Sequence, residues 1–336
     1  MLVGLLKPLG VFVLMKVQSS NFAVLFILCS VSLFAQDEEK SEDNKSWRKF
    51  CDLTAQNVSV FEGVRGGLFR SAARSTGREF QQLEHAIFEH KNPFNQTEHG
   101  LVYLWKQEDG RPVAIFTSLV NKSPRDGRWG EIIEYHSLHD KPLYATFGSD
   151  TIEGSEPYRA AHAWRPSEGI KWNLVPKADV PANSAVRLRG QARSIVRRFE
   201  CEATFYRRSG PQQYSLRPLA KPVYTYDAKR EGKLVGGLLT FYCRATDPEA
   251  LLLLDVRPDD SGKLAWHYAV GNFTRGRIRF SLDKKEIWDN NSSNSSWFNP
   301  TDVHYGNFPA RHLGSFTIEE GIERQKEHLD AASKDS

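Results

Sequence analysis

The feature that most constrains this chain is a weak internal duplication of a strand pattern. It relates three sets of positions at an offset of 133 to 137 residues: 83–90 with 219–226, 100–120 with 237–257 without a gap, and Tyr135 and Phe147 with Tyr268 and Phe280. Few residues are identical, but apolar, turn and aromatic positions recur in the same order, as in a duplicated supersecondary unit. The sequence therefore predicts two units of related architecture.

Both units are rich in short β-forming runs separated by turn residues. The predicted strands are Leu101–Trp105, Val113–Val120, Glu131–Ser137 and Leu143–Phe147, then Leu238–Arg244, Ala250–Arg257, Leu264–Val270, Arg277–Leu282 and Glu286–Trp288. Short consecutive strands joined by tight turns favour an antiparallel meander. The predicted fold class is mainly β (α+β), with two tandem antiparallel β-meander units linked by an amphipathic helix.

Residues 78–90 taken alone also fit helical spacing. Their partner segment in the second copy contains Pro218 and Pro222, which an uninterrupted helix does not tolerate. We therefore expect both segments to be extended.

The composition divides the chain into six predicted segments. They are a signal peptide (1–35, with the true start at Met1 or Met15), a flexible lead and N-terminal segment (36–77), the first β unit (78–152), a linker with a basic amphipathic helix (153–213), the second β unit (214–288), and a polar loop with a C-terminal tail (289–336). We expect the tail to pack loosely and to end in a short helix, Glu319–Ala332.

The N-terminal region predicts export. Phe22–Phe34 is an apolar stretch of about 13 residues after Lys16, with Ala35 as a small residue before the cut, as in a signal peptide. We expect a periplasmic or extracellular protein; the alternative is an N-terminal membrane anchor that uses both apolar stretches. No later run reaches the roughly 20 apolar residues that a membrane span needs.

Charge and cysteine content exclude some classes of protein. The formal net charge is +4, which falls to about +2 without the first 35 residues, so there is no general affinity for nucleic acid. Cys51, Cys201 and Cys243 remain, too few for a disulfide scaffold. The sequence allows two alternatives for these cysteines. They form one disulfide bridge and leave one free thiol, or all three are buried, inert thiols.

The segment between the two units, Pro181–Glu200, predicts a helix capped by Asn183 or Ser184. Its predicted apolar side consists of Val186, Leu188, Ala192, Ile195, Val196 and Phe199. A candidate anion-contact patch is formed by Arg187, Arg189, Arg193, Arg197 and Arg198. The alternative is a solvated face whose arginine stems cover apolar surface.

No catalytic, cofactor-binding or metal-binding signature is found in the sequence. His136 and His139 are three residues apart in a strand that runs into a turn, not four apart on a helix as in zinc proteases. Glycosidases use a pair of carboxylates, and four residues could supply one: Glu131, Glu134, Asp255 and Asp283. We therefore predict no catalytic residue, no cofactor and no metal.

Aromatic residues are the other candidates for ligand contact, since exposed rings can stack on sugars. Trp105 and Trp288 alternate with apolar neighbours and are expected in the core or at a sheet edge. Trp129, Trp172 and Trp297 lie in turn-rich segments and are the candidates for exposed aromatics.

Several strings in a fixed order resemble a family of exported bacterial proteins of unknown function. They include GRPVAIFTSL (110–119), EYHSLHDKPL (134–143), EGIKWNLVPKADVP (168–181), RLRGQARSIVRRF (187–199), LRPLAKPVYTY (216–226) and TDPEALLLLD (246–255). The resemblance covers roughly residues 78–288. It implies export and supplies no catalytic residue.

These observations favour a non-enzymatic binding or structural protein of the cell envelope or extracellular space. Its partner would be an anionic envelope component or another envelope protein. Two alternatives stay open: a carrier with an apolar cavity, suggested by the apolar run Ala250–Val256, and a carbohydrate-active hydrolase that uses paired carboxylates.

Overall fold

A computed structural model describes residues 45–63, 78–91, 98–148, 163–166, 168–207, 209–230, 232–274, 276–291, 299–307 and 315–335. The predicted signal peptide, Trp297 and most of the Asn/Ser-rich stretch lie outside the described residues. The described part is mainly β, as the sequence predicted.

The first half of the described chain contains one helix and seven strands. They are α1 (45–56), β1 (Val58–Glu62), β2 (Gln81–Gln82), β3 (Phe88–Lys91), β4 (Glu98–Lys106), β5 (Pro112–Lys122), β6 (Trp129–Ser137) and β7 (Leu143–Phe147). Residues 78–90 form β2 and the start of β3 with bends between them, so the prediction that they do not form a helix is confirmed.

The second half of the described chain contains ten strands and two helices. Its elements are β8 (Asn173–Leu174), α2 (Ala185–Val196), β9 (Phe199–Arg207), β10 (Gly210–Pro218), β11 (Tyr224–Arg230), β12 (Lys233–Cys243), β13 (Pro248–Pro258), β14 (Leu264–Asn272), β15 (Arg277–Leu282), β16 (Lys285–Asp289), β17 (His304–Asn307) and α3 (Ile318–Asp335). The predicted strands of both units are present.

The described strands pair antiparallel in three sheets. Their orders are β17-β6-β5-β4-β2 with β3 also on β4, β16-β15-β9-β10-β12-β13-β14-β8 with β11 also on β12, and β1-β7. The long sheet curls because β10 pairs with β9 through residues 210–216 and with β12 only through Arg217 and Pro218.

The two meanders have the same ladder, including the position of a β-bulge. The register shifts after Trp105 in the β4–β5 pair and after Tyr242 in the β12–β13 pair, leaving Val113 and Glu249 as the extra residues. The turn of the second hairpin is one residue shorter, so the gapless alignment of 100–120 with 237–257 is off by one beyond the turn. Conserved bulge placement agrees with the duplication, which stays a prediction.

The two meander sheets pack face to face through equivalent positions of the two ladders. The central cluster contains Val102, Leu104 and Ile115 from the first and Leu239, Phe241 and Leu251 from the second. The outer face of the first sheet is covered by α1, α3 and β7, and that of the second by α2, β9 and β15. Since β5 and β13 are covered on both faces, nearly all their side chains are buried.

Two details of the helices differ from the sequence-based expectation. Helix α2 begins after Ser184 and buries Leu188, Ala192 and Ile195, but Val186 is 81% exposed. The expectation of a loosely packed C-terminal tail is wrong: Gln325 of α3 is fully buried, and its backbone carbonyl and side-chain oxygens both accept hydrogen bonds from the Asn57 amide. The stripe of apolar residues on α3 is thin because polar residues fill part of the contact.

Glycine occupies the same ladder position in both meanders, beneath an aromatic ring on the neighbouring strand. Gly100 lies opposite His90, and Gly237 lies opposite Tyr226. A β-carbon at Gly100 would collide with the His90 ring, and one at Gly237 would collide with the carbonyl oxygen of Leu254. Each glycine therefore allows a ring to lie across the strand.

We predict that Gly237→Ala destabilises the protein by about 2 kcal/mol or more, because the added methyl group overpacks the ladder. Gly190→Ala is the matched control, since a β-carbon at this position of α2 meets nothing within 4 Å. It should be neutral or stabilising by about 0.5 to 1 kcal/mol through helix propensity. Urea unfolding measures the free energy of unfolding of both variants. An equal change in the two variants would contradict the predicted collision at Gly237.

Candidate functional site

An open cleft of about 560 Å³ lies where the β4–β5 turn and the segment after β6 meet the end of β13. Its lining is mostly polar and charged: Glu62, Arg78, Gln107, Arg111, His139, Asp140, Lys141, Trp172, Arg257, Pro258 and His267. The volume is in the range of small-molecule sites, about 300 to 1,000 Å³. Both meanders contribute residues, so the cleft depends on their packing.

The β4–β5 turn places Arg111 at the base of the cleft. Gly110 has a φ of +86°, which favours glycine, and the Tyr224 hydroxyl donates to its carbonyl oxygen at 2.8 Å. The Asp109 carboxylate accepts from the backbone N–H of Arg111 at 3.2 Å. These contacts fix the turn, and the Arg111 side chain is only 8% exposed.

Asp255 of β13 is the buried centre of a charged network. Its Oδ2 accepts from Nε of Arg111 at 3.0 Å and from Nε of Arg257 at 2.8 Å, and its Oδ1 accepts from the Tyr226 hydroxyl. Gly237 lies between Tyr226 and Asp255 in the ladder, so the lack of a side chain there lets the phenol reach the carboxylate. Asp255 thus holds both guanidinium groups in place.

Protonation states in this network are set by burial and by the neighbouring charges. Burial, followed by the Asp255 charge, raises the pKa of Tyr226 well above its usual value, so the phenol is neutral and donates. Burial acts to lower the pKa of Arg111, but Asp255, Tyr226 and Asp109 outweigh it and the pKa is raised. Arg111 is therefore a permanent cation.

Arg257 connects Asp255 at the base of the cleft with Asp140 and Trp172 in its wall. Its Nη1 donates to Asp140 at 2.9 Å, and its guanidinium lies 4.0 Å from the centre of the Trp172 ring. Partial burial acts to raise the pKa of Asp140, but the hydrogen bond and charge of Arg257 lower it overall. Asp140 is 45% exposed, whereas Asp255 is 3% exposed.

His139 supplies a neutral donor beside these charges. Burial lowers its pKa, and the backbone N–H of Lys141 donates to its Nδ1 at 3.1 Å, which leaves the ring proton on Nε2. The Lys141 ammonium pairs with Glu62 at the rim. The cleft lining contains four cations, Arg78, Arg111, Lys141 and Arg257, and two carboxylates, Glu62 and Asp140. These cations also pair with three carboxylates behind or beside the lining, Glu108, Asp109 and Asp255.

In the first meander, the ladder positions equivalent to Tyr226 and Asp255 are occupied by different kinds of residue. Gly100 is flanked by His90 and Leu119, where Gly237 is flanked by Tyr226 and Asp255. His90 lies 3.2 Å from Asp247 across the interface. Because Leu119 fills the position equivalent to Asp255, the architecture does not require a carboxylate there.

The candidate anion-contact patch divides into two groups. Arg189 pairs with Asp227, and Arg198 pairs with Asp283 at 2.6 Å and donates to the Pro176 carbonyl. Arg187, Arg193 and Arg197 extend from the exposed side of α2. The structure therefore leaves three of the five arginines directed to solvent.

The three candidate exposed tryptophans have different environments. The prediction that Trp129 is exposed is wrong: it is 5% exposed, because it begins β6 opposite Lys122 and its backbone pairs with Phe316 next to α3. Trp172 is half-buried in the cleft wall, and Trp297 lies outside the described residues. Trp105 is in the core, as expected, and Trp288 packs at its edge.

His136 and His139 lie in different environments. His139 faces the cleft, whereas His136 is buried, stacks on His304 at 5.6 Å and packs on Gly271 of β14. Among the described residues no cluster of His, Cys, Asp and Glu could hold a metal ion. Cys51, Cys201 and Cys243 are unbridged and buried, so the alternative of buried thiols is the observed one.

The four candidate carboxylates do not share one environment. Asp283 is half-exposed and paired with Arg198, whereas Asp255 accepts from three side chains in the cleft. Glu131 is buried and Glu134 half-buried on β6. Sequence reasoning named Asp255 only in this list and missed Arg111, Tyr226 and Arg257. Arg257 lies two residues after Asp255 on β13, so alternation places both side chains on one face, whereas no local motif connects Asp255 with Arg111 or Tyr226.

Comparison with known proteins finds no matching family model, no matching curated protein and no matching solved structure. The resemblance to an exported family stays a prediction. None of the helices described is both long enough and apolar enough to span a membrane.

We predict that the buried His136 makes the protein acid-sensitive. Burial lowers its pKa to about 4, from about 6.5 in the unfolded chain. The unfolded state therefore binds more protons below pH 6.5, and stability is lost as the pH falls from about 6.5 to 4, by on the order of 3 kcal/mol. Urea unfolding measured from pH 4 to 8 tests this.

The test compares variants, because Glu249 acts in the opposite direction. Burial raises the pKa of Glu249 to about 7, so its contribution falls as the pH rises from about 4.5 to 7. His136→Gln should lose less unfolding free energy than the parent protein as the pH falls from about 6.5 to 4. His85→Gln, at an exposed histidine, should show the same loss as the parent protein. The same pH dependence of unfolding free energy in all three proteins would contradict the role of His136.

Proposed function

We propose that the chain is a non-enzymatic binding protein whose cleft takes the acidic group of a small anionic ligand. The observation that carries the proposal is the Asp255 network, in which a buried carboxylate holds Arg111 and Arg257 at the cleft. Arginine is suited to carboxylate, sulfate and phosphate groups because its planar fork binds two oxygens at once.

The network is costly for the fold, which supports a role in binding. A buried ion cluster contributes little net stability, and replacing it with apolar residues is often neutral or stabilising. The equivalent position in the first meander is Leu119, so an apolar residue is compatible with this ladder. The ladder accepts leucine at the position equivalent to Asp255. A charged residue at Asp255 is therefore not needed for folding, which favours a functional role for it.

The geometry also indicates how an anion would enter. Arg257 already bonds Asp255 through Nε, which leaves its terminal nitrogens for Asp140 and a ligand. Asp140 is far more exposed than Asp255, so an incoming acidic group can compete with it for Arg257 while Asp255 stays in place. The Nη contacts of Arg111, at 3.3 and 3.4 Å, are long and have capacity for a stronger acceptor.

Asp255 is poorly suited to act as a general acid or base. Both of its oxygens accept hydrogen bonds, one from the phenol and one from two guanidinium groups. A catalytic carboxylate must reach a proton on the substrate, and this one is 3% exposed. The arrangement favours positioning of the arginines over hydrolysis.

We predict that glucose 6-phosphate, glucose 6-sulfate or glucuronate binds in calorimetric titration, whereas neutral glucose does not. Arg257→Gln should weaken binding by about 10- to 100-fold, the usual value of a charge-assisted hydrogen bond. Arg279→Gln is the matched control, since this arginine also pairs with a carboxylate, Glu202, but lies outside the cleft. Equal affinity for glucose, or equal loss in both variants, would refute the proposal.

A further inference from the structure

We propose that the outer side of helix α2 docks on a membrane surface that contains acidic phospholipid. The residues involved, here called the α2 stripe, are Val186, Gly190, Arg193 and the C-cap residue Arg197, at successive separations of four, three and four residues. Arg187, next to Val186, borders the stripe and belongs to the same surface. That spacing places them on one side of a helix, opposite the buried Leu188, Ala192 and Ile195. The proposal is independent of the cleft.

The charge of this surface is uncompensated on the helix itself. Helix α2 contains no acidic residue, and Arg187, Arg193 and Arg197 are exposed. The two other arginines of the segment are already used within the fold, by Asp227 and Asp283. These three guanidinium groups have no acidic partner among the described residues, so the surface is complementary to an anionic partner.

A neighbouring extended segment widens the surface. The Gln191 side chain bonds the Val180 carbonyl at 2.9 Å and the Ala182 amide at 2.8 Å, and Arg198 bonds the Pro176 carbonyl. Residues 176–182 therefore run beside α2. Its charged residues, Lys177 and Asp179, cancel, so the segment adds no repulsion.

Exposed valines distinguish a lipid surface from a soluble polyanion. Val180 is 83% exposed and Val186 81% exposed, although neither helps to fold the helix onto the sheet. Apolar side chains between arginines gain from the apolar boundary of a lipid headgroup layer, whereas a polysaccharide chain offers them less. Helix α1 differs, because the segment that leads into α3 packs on it through the contact of Phe316 with Phe50.

Co-sedimentation with vesicles tests the proposal, using phosphatidylglycerol mixed with phosphatidylcholine and phosphatidylcholine alone. Binding should require phosphatidylglycerol and fall with salt. Each arginine near an acidic lipid surface contributes roughly fivefold. The triple variant Arg187→Gln, Arg193→Gln, Arg197→Gln should therefore bind about 100-fold more weakly.

The matched control removes three exposed cations elsewhere: Arg125→Gln, Arg217→Gln, Lys285→Gln. It should bind vesicles nearly as well as the parent protein. Gly190→Glu should weaken binding at least fivefold without steric cost, since nothing lies within 4 Å of its β-carbon position. Circular dichroism checks that each variant is folded.

Val186→Ser separates the two kinds of anionic partner. It should weaken vesicle binding severalfold and leave binding to a heparin octasaccharide unchanged. No binding to phosphatidylglycerol vesicles, equal loss in the triple variant and its control, or no effect of Val186→Ser on vesicle binding would overturn the proposal. The last result would assign the surface to a soluble polyanion.

Discussion

The face-to-face packing of the two meander sheets is the constraint on which the rest of the structure depends. Strands β5 and β13 are apolar on both sides, so neither meander can be exposed to water on either face. Residues at equivalent ladder positions meet in one central cluster, which resembles the self-complementary contact of a symmetric dimer. The helices then cover the outer faces.

This packing also explains where the candidate site lies. The β4–β5 turn of the first meander is brought over the end of β13, so Arg111 meets Asp255, 144 residues further along the chain. The equivalent ladder position in the first meander, Leu119, is apolar. A near-symmetric scaffold thus presents an asymmetric charge network, and this asymmetry is what favours a binding role for one end.

The glycines beneath aromatic rings connect the fold to the site. Gly100 and Gly237 occupy equivalent ladder positions and leave room for His90 and Tyr226. In the second meander the same gap lets the Tyr226 phenol reach Asp255, so a feature of strand packing also orients a functional group. Apolar runs such as Ala250–Val256 follow from burial on both faces and do not in themselves require a ligand cavity.

The sequence by itself was enough to predict the strands and the basic helix, because alternation, turn residues and helical spacing are local properties of the chain. Residues 78–90 fit helical spacing when taken alone, and only the prolines of their partner segment predicted that they form no helix. The duplication itself stays a prediction. Packing between distant segments buries Trp129 and Gln325, and it brings Arg111 and Tyr226 onto Asp255 beside Arg257. The contact of Arg111 with Asp255 joins residues 144 positions apart, and that of Tyr226 with Asp255 joins residues 29 positions apart on different strands. Local periodicity does not predict which segments pack together.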